Sequence, residues 1–345
     1  MASSLRFLFL SLISLSTTIT AKCSSLNVTA LHTFPYPSWL ENLAIRSNGE
    51  ILTTRLDTPI LYQVDHITGD AVEVATWNAS QYSGALGISE VTEDVFYVIL
   101  AAFFDQATFV KTSGVNSIFK VDMSTFALGD DGSVERNATV THLTDINEAD
   151  FLNGMATLDD EHIYVSDVYS GVIYLVDVSN GDYQVAINDT LAKFSVDGQA
   201  ASTNLGSNGL KVRDDYVYWT NTARGFLARI PVGTDGLPTG DSAIVATNLA
   251  KADDFQFRST GEVFVAQNQQ DTLSAAWGVE SGDVVSAKAI AGSNISTILA
   301  GVSSPKFGRT STDSNRLYLS TSGGLALPIN GSVTVAGTIS YIDLS

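Results

Sequence analysis

Six times along 345 residues the chain repeats one short apolar strand, and this recurrence limits the folds open to it more than any other feature. The copies begin at Ile51 (ILTTRL), Val95 (VFYVIL), Ile163 (IYVSDV), Val217 (VYWTNT), Val263 (VFVAQN) and Leu317 (LYLSTS), separated by 44, 68, 54, 46 and 54 residues. Further strands follow at Ile60–Asp65, Ser117–Asp122, Val172–Asp177 and Ser340–Leu344, where alternating β-branched and aromatic residues mark one face as buried. The fullest copies, Asn153–Asp177 and Asn208–Pro231, are three-stranded meanders that open on Asn-Gly and turn on Asp-Asp. One such meander cannot bury both its faces, so neighbouring copies must cover one another. Gly, Asn, Asp and Thr turns recur too often for a 3.6-residue pattern to survive. A period near 45 residues with excursions therefore predicts an all-β chain folded as a six-bladed β-propeller.

A ring needs its ends joined. The early segment Asn27–Phe34 (NVTALHTF) reads as a strand that adds to the last blade beside Thr338–Ile342 and removes an exposed edge. The widest gap, between the second and third copies, holds Asp105–Asn116 and Ser124–Asp145, read as long loops capping one face.

Residues 1–23 read as a secretory signal: Arg6, an apolar run from Phe7 to Leu15, then Ser and Thr leading to Ala21 or Cys23. Residues 24–345 then form one propeller domain in the secretory pathway, secreted or vesicular. The longest later apolar run, Val95–Phe104, suits a buried strand and falls short of the ~18 residues of a membrane helix. No membrane partner is expected after cleavage. Sequons at Asn27, Asn78, Asn137, Asn188, Asn294 and Asn330 are candidate glycan sites on exposed loops. Cys23 is the only cysteine, so no disulfide holds the mature fold and stability rests on the core. The formal charge of −19, which becomes −21 when Arg6 and Lys22 leave with the signal, excludes nucleic acid as a natural partner.

In a propeller the innermost strands run along a central channel, so their entrances converge on one mouth. Those entrances read Glu41-Asn42, Leu86-Gly87, Asn153-Gly154, Asn208-Gly209, Asp253-Asp254 and Pro305-Lys306. Any one Asn-Gly or Asp-Asp pair is by itself an ordinary turn. Several in register point instead to a shared site, where carboxylate and amide oxygens without His or Cys suit a hard cation such as Ca²⁺ or Mg²⁺. The four histidines, His32, His66, His142 and His162, are scattered, and no nucleophile elbow or Gly-rich phosphate loop is present.

The six copies and the Glu41, Asn153, Asn208, Asp253 series resemble the SMP-30/gluconolactonase-type propellers over nearly the whole mature chain. Phe34–Glu50 (FPYPSWLENLAIRSNGE), Ala252–Phe257 (ADDFQF) and the closing blade Ser303–Gly324 are more similar to a fungal branch, the hetero-Diels-Alderases of tropolone-sesquiterpenoid pathways. That resemblance implies an enzyme of secondary-metabolite biosynthesis that joins an o-quinone methide tropolone to a humulene-type alkene without a cofactor. The broader family implies Ca²⁺ or Mg²⁺ on Glu41, Asn153, Asn208 and Asp253 and hydrolysis of a lactone. A propeller that binds a ligand without turnover is the third reading.

A lactonase needs a Lewis acid and a base, with Asp253 or Glu41 taking the proton. A cycloaddition needs a shaped apolar cavity and a donor that polarises a carbonyl, so small hydrophobic polyketide or terpene-type substrates are the expected partners. Candidate walls are Trp39, Phe103, Phe104, Tyr169, Trp219 and Phe307, and candidate donors are Asn153, Asn208, Arg224, Lys306 and Arg309.

Overall fold

The computed structural model of the chain describes residues 26–104, 111–196 and 203–344. The expected signal over residues 1–23 lies outside these residues, as do residues 105–110 of the expected capping loop. Six sheets, antiparallel except for the short strand Val285–Ser286 that adds in parallel to the fourth sheet, follow one another round a ring. Their inner strands are Leu40–Ile45, Gly84–Thr92, Leu152–Thr157, Ser207–Arg213, Ala252–Phe257 and Val302–Phe307. The six repeated copies are the second strands, Ile51–Arg55, Val95–Phe104, His162–Asp167, Tyr216–Asn221, Val263–Gln267 and Arg316–Thr321. Helix is confined to two 3-10 turns among the described residues, and no helix there is long and apolar enough to cross a membrane.

The core is six wedges, one between each pair of adjacent blades. Leu52, Leu61, Phe96 and Val98 fill the first seam, and Leu40, Leu43, Tyr318 and Ile339 fill the seam that joins the sixth blade to the first. Alternation along each strand therefore feeds two wedges, one on each face of the blade, which is why the first blade's inner and second strands are buried throughout. Strand Thr29–Thr33 pairs antiparallel with Thr338–Asp343 and closes the ring, as the early segment predicts.

The second blade departs from expectation. Lys111–Asn116 is not loop but the start of strand Lys111–Asp122, and Ser124–Asp145 holds a small hairpin, Ala127–Leu128 with Val134–Arg136, followed by the blade's outer strand Thr139–Asp145. The polar turns there masked short strands whose pairing comes from the neighbouring strand rather than from their own sequence. All six sequon asparagines lie on the exposed surface.

Candidate functional site

Every inner strand breaks register with its partner just after its start, at Glu41-Asn42, Leu86-Gly87, Asn153-Gly154, Asn208-Gly209, Asp253-Asp254 and Ser303. A bulge bends the strand and re-aims the side chain it carries. The sixth entrance is thus Ser303 rather than Pro305-Lys306, a correction of the expected position. Through these bulges Glu41, Asn153, Asn208 and Asp253 line one cavity of about 200 Å³ at the channel mouth.

The polar groups interlock. Trp39 Nε1 donates to Glu41 Oε2 at 2.6 Å, and Asn153 Nδ2 donates to Glu41 Oε1 at 3.0 Å. Across the cavity, Asn208 Nδ2 donates to Asp253 Oδ1 and Asn268 Nδ2 donates to Asp253 Oδ2, both at 3.0 Å. Asn208 is further fixed by Thr222 Oγ1 at 3.1 Å, while its Oδ1 is buried without a partner. Neither carboxyl has an ion-pair partner among the described residues. Burial drives the Glu41 carboxyl up to about 7, and burial together with the nearby Glu41 raises Asp253 well above the usual carboxylate range.

Deeper in the channel lies a second polar layer. Asp254 accepts from Lys211 Nζ at 2.6 Å, from Ser304 Oγ at 2.9 Å and from the Phe255 amide at 2.8 Å. The lysines beside it hold the Asp254 carboxyl below its ordinary value against the cost of burial. Lys306 belongs to this layer and not to the mouth; burial and the Lys211 charge push its amine down to about 7.

Of the expected walls, Trp39 and Tyr169 line the cavity. Trp219 does not: it is fully buried between the third and fourth blades, and its Nε1 donates to Leu191 O at 3.1 Å. Phe307 packs edge-on against Phe264 in the seam of the fifth and sixth blades. Arg224 caps Phe226 and donates to Thr190 O, beside a separate surface depression. Arg309 pairs with Glu90 and donates to Ile45 O at the far end of the channel. The side chains of Phe103 and Phe104 lie outside the described residues.

Two registers of the repeat supply walls that were not foreseen. Phe151 and Lys251 stand two residues before Asn153 and Asp253, as Trp39 stands before Glu41. Leu56, Thr222 and Asn268 are each the sixth residue of their strand copy. Lys251 is held at φ 59°, a left-handed conformation that costs a non-glycine residue and recurs at functional sites. Burial lowers its amine from the ordinary lysine value.

A six-bladed propeller with two neutral-leaning acids and apolar walls at one mouth defines the class, and the fold is the one shared with SMP-30/regucalcin-type proteins. Calcium-binding regucalcin of Agrobacterium tumefaciens superposes with a TM-score of 0.60 at 14% identity, covering 93% of this chain and 96% of its own. A luciferin-regenerating enzyme superposes with a TM-score of 0.63 at 11% identity, over 92% and 95%. In sequence, the chain is similar to a protein of Sarocladium schorii that carries the name hetero-Diels-Alderase, at 24% identity over 91% of this chain and 82% of the relative. A Phoma protein of the same name is 25% identical over 84% and 85%. No protein-family model matches the chain.

Proposed function

We propose that the chain is a hetero-Diels-Alderase-type pericyclase and that the mouth between Glu41 and Asp253 is where its substrates meet. The observation that carries this reading is the alignment of two relatives of that name over most of the chain. The cavity's chemistry supports it. Trp39, Leu56, Phe151, Tyr169 and Leu205 offer apolar walls that hold a diene and an alkene in contact. A carboxyl kept neutral by burial donates a hydrogen bond to the heterodiene oxygen, which stabilises charge as the carbon–oxygen and carbon–carbon bonds form together. Asn153, Asn208 and Asn268 hold the two acids in place and no proton changes hands. An o-quinone methide tropolone and a humulene-type alkene are the substrates proposed.

A second reading rests on the orphaned Asn208 Oδ1. Glu41, Asn153, Asn208 and Asp253 form an all-oxygen donor set that fits a hard divalent cation, which would also offset the two buried carboxylates. Such an ion would supply Lewis acidity for lactone opening, with Glu41 or Asp253 accepting the proton of water.

The deciding experiment incubates the protein with an o-quinone methide precursor and a humulenol-type alkene and reads yield and enantiomer against a control without protein. Enantiomeric excess that falls to the control value in Asn153→Ala and Asp253→Ala supports the pericyclase at this mouth. Racemic product from the wild type, with chelator-sensitive opening of simple lactones, overturns it in favour of the hydrolase.

A further inference from the structure

At the opposite end of the first blade from the mouth, three metal-ligating side chains meet that play no part in the cavity. Glu50 immediately precedes the blade's second strand, and Asp65 and His66 begin the turn between its third and fourth strands. One donor atom from each lies within 4.8 Å of the others. His66 Nδ1 stands 3.9 Å from Glu50 Oε1, and the two side chains are only 13% and 18% exposed.

The cluster is not explained as a finished hydrogen-bond network. Glu50 Oε2 and His66 Nδ1 are both buried without a hydrogen-bond partner, an arrangement that costs about 1–3 kcal/mol per group unless something satisfies it. Asp65 Oδ1 accepts from the Ile67 and Thr68 amides at 2.7 Å each, which locks the turn and fixes the carboxyl's orientation. The nearby cation is already engaged: Arg46 grips both oxygens of Asp94 at 2.9 and 2.8 Å and donates to Gln63. Burial and the Asp65 charge push Glu50 up to about 7, so two acids face each other without a free counter-charge. The backbone also makes room for the ring. Gly49 has φ 97°, and a Cβ there would lie 2.8–2.9 Å from His66 Cε1 and Nε2.

We propose that Glu50, Asp65 and His66 form a binding site for a first-row divalent transition ion such as Zn²⁺, separate from the channel mouth. One imidazole nitrogen and two carboxylate oxygens are a donor set for zinc, manganese or cobalt rather than for Ca²⁺, which prefers six or more oxygens. Donors 3.9 Å apart both reach an ion at the ~2.0–2.2 Å distances of such ligands, and a small rotation of the third side chain completes the set. The ion would tie the Arg46–Glu50 hairpin to the Asp65–Asp70 turn in a chain that has no disulfide to do so.

The test loads the full-length mature protein with Zn²⁺ or Co²⁺, removes excess by dialysis, and measures bound metal by mass spectrometry and Co²⁺ coordination by its visible spectrum. One equivalent per chain is expected in the wild type. Glu50→Gln and His66→Ala should each weaken binding at least tenfold, whereas Glu41→Gln and Asp253→Asn at the mouth should retain it. Thermal midpoints should rise with Zn²⁺ in the wild type and in the mouth variants only. Equal loading of wild type, Glu50→Gln and His66→Ala overturns the proposal, and so does binding lost in the mouth variants instead. Glu50→Gln preserves shape, so a folding failure of His66→Ala leaves the comparison decisive.

Discussion

Glu41 is the residue on which the chemistry of the mouth is most open to test, because its proton and its shape can be varied separately. Its carboxyl is raised from 4.5 to about 7 by burial, so the folded chain holds that proton over a range where the unfolded chain has released it. The stabilisation is therefore fully present below the unfolded value and is lost as pH rises through about 7. Asp253, raised for the same reason and by Glu41, acts with the same sign. Enantioselective turnover should fall together with the thermal midpoint between pH ~5 and ~8, and Glu41→Gln should flatten both slopes. A pericyclase needs only a donor at this position, so Glu41→Gln should retain activity within about tenfold, whereas Glu41→Ala should lose ~10²-fold or more. A hydrolase that uses Glu41 as base would lose activity in both variants. At this scale the sequence was a partial guide. The repeat placed Glu41, Asn153, Asn208 and Asp253 correctly around the mouth, yet it could not separate an aromatic facing a seam, such as Trp219, from one facing the cavity, such as Trp39. Both sit in apolar repeats, and only the position relative to the bulge distinguishes them.

At the entrances of the third and fourth blades, the Asn-Gly pairs prove to be neither turns nor simple site markers. Gly87 and Gly154 lie against the backbone carbonyls of Asn153 and Asn208 in the following blade, with no room for a Cβ. Glycine is thus required by close approach of the next inner strand rather than by a left-handed φ. In the first, third and fourth blades a hydroxyl from the second strand completes the junction. Ser166 Oγ accepts from Gly154 N at 2.9 Å and donates to Asn208 O at 2.7 Å; Thr220 Oγ1 accepts from Gly209 N at 3.0 Å and donates to Asp253 O at 2.5 Å. Thr54 repeats the pattern with Asn42 N and Leu86 O. These hydroxyls hold the bulges that aim the polar residues at the mouth. They were legible in the strand copies, where the fourth residue reads Thr54, Ser166 and Thr220, against Val98 and Ala266 in the second and fifth copies. They escaped notice because a hydroxyl in a strand also fits ordinary β-propensity. Thr220→Val leaves two buried backbone groups unpaired and should cost about 1–3 kcal/mol for each, with selectivity lost as Asp253 shifts. Thr220→Ser restores both bonds and should recover most of the stability and the selectivity. Denaturant unfolding and product enantiomer, measured on both variants, separate this from simple packing loss: if Ser is no better than Val, the hydroxyl junction is not what holds the bulge.

For the molecule as a ring, the six-fold count follows from repeats readable in the sequence, whereas the contacts that join its ends include one short strand far in sequence from the last blade. Thr29–Thr33 pairs with Thr338–Asp343 in the register Thr29 with Tyr341 and Thr33 with Thr338, and Phe34 enters the seam between the sixth and first blades. Without it, strand Thr338–Asp343 presents an unpaired edge, and an open edge in a ring of wedges invites both fraying and association. Deletion of residues 26–34 should lower the thermal midpoint and promote aggregation. That result alone would not distinguish loss of the strand pairing from loss of the connection to the first blade. Because the pairing is antiparallel, the same segment placed after Leu344 through a short linker forms a hairpin with Thr338–Asp343 in the native register. Such a permuted chain should regain the wild-type midpoint and its selectivity at the mouth. The sequence of the closing strand is unchanged in that chain and only its connection moves, so recovery would assign the stability to the pairing that covers the edge of Thr338–Asp343 and not to the tie between the first and last blades. A permuted chain as unstable as the deletion would show instead that the native N-terminal connection, and not the pairing, holds the first and last blades together.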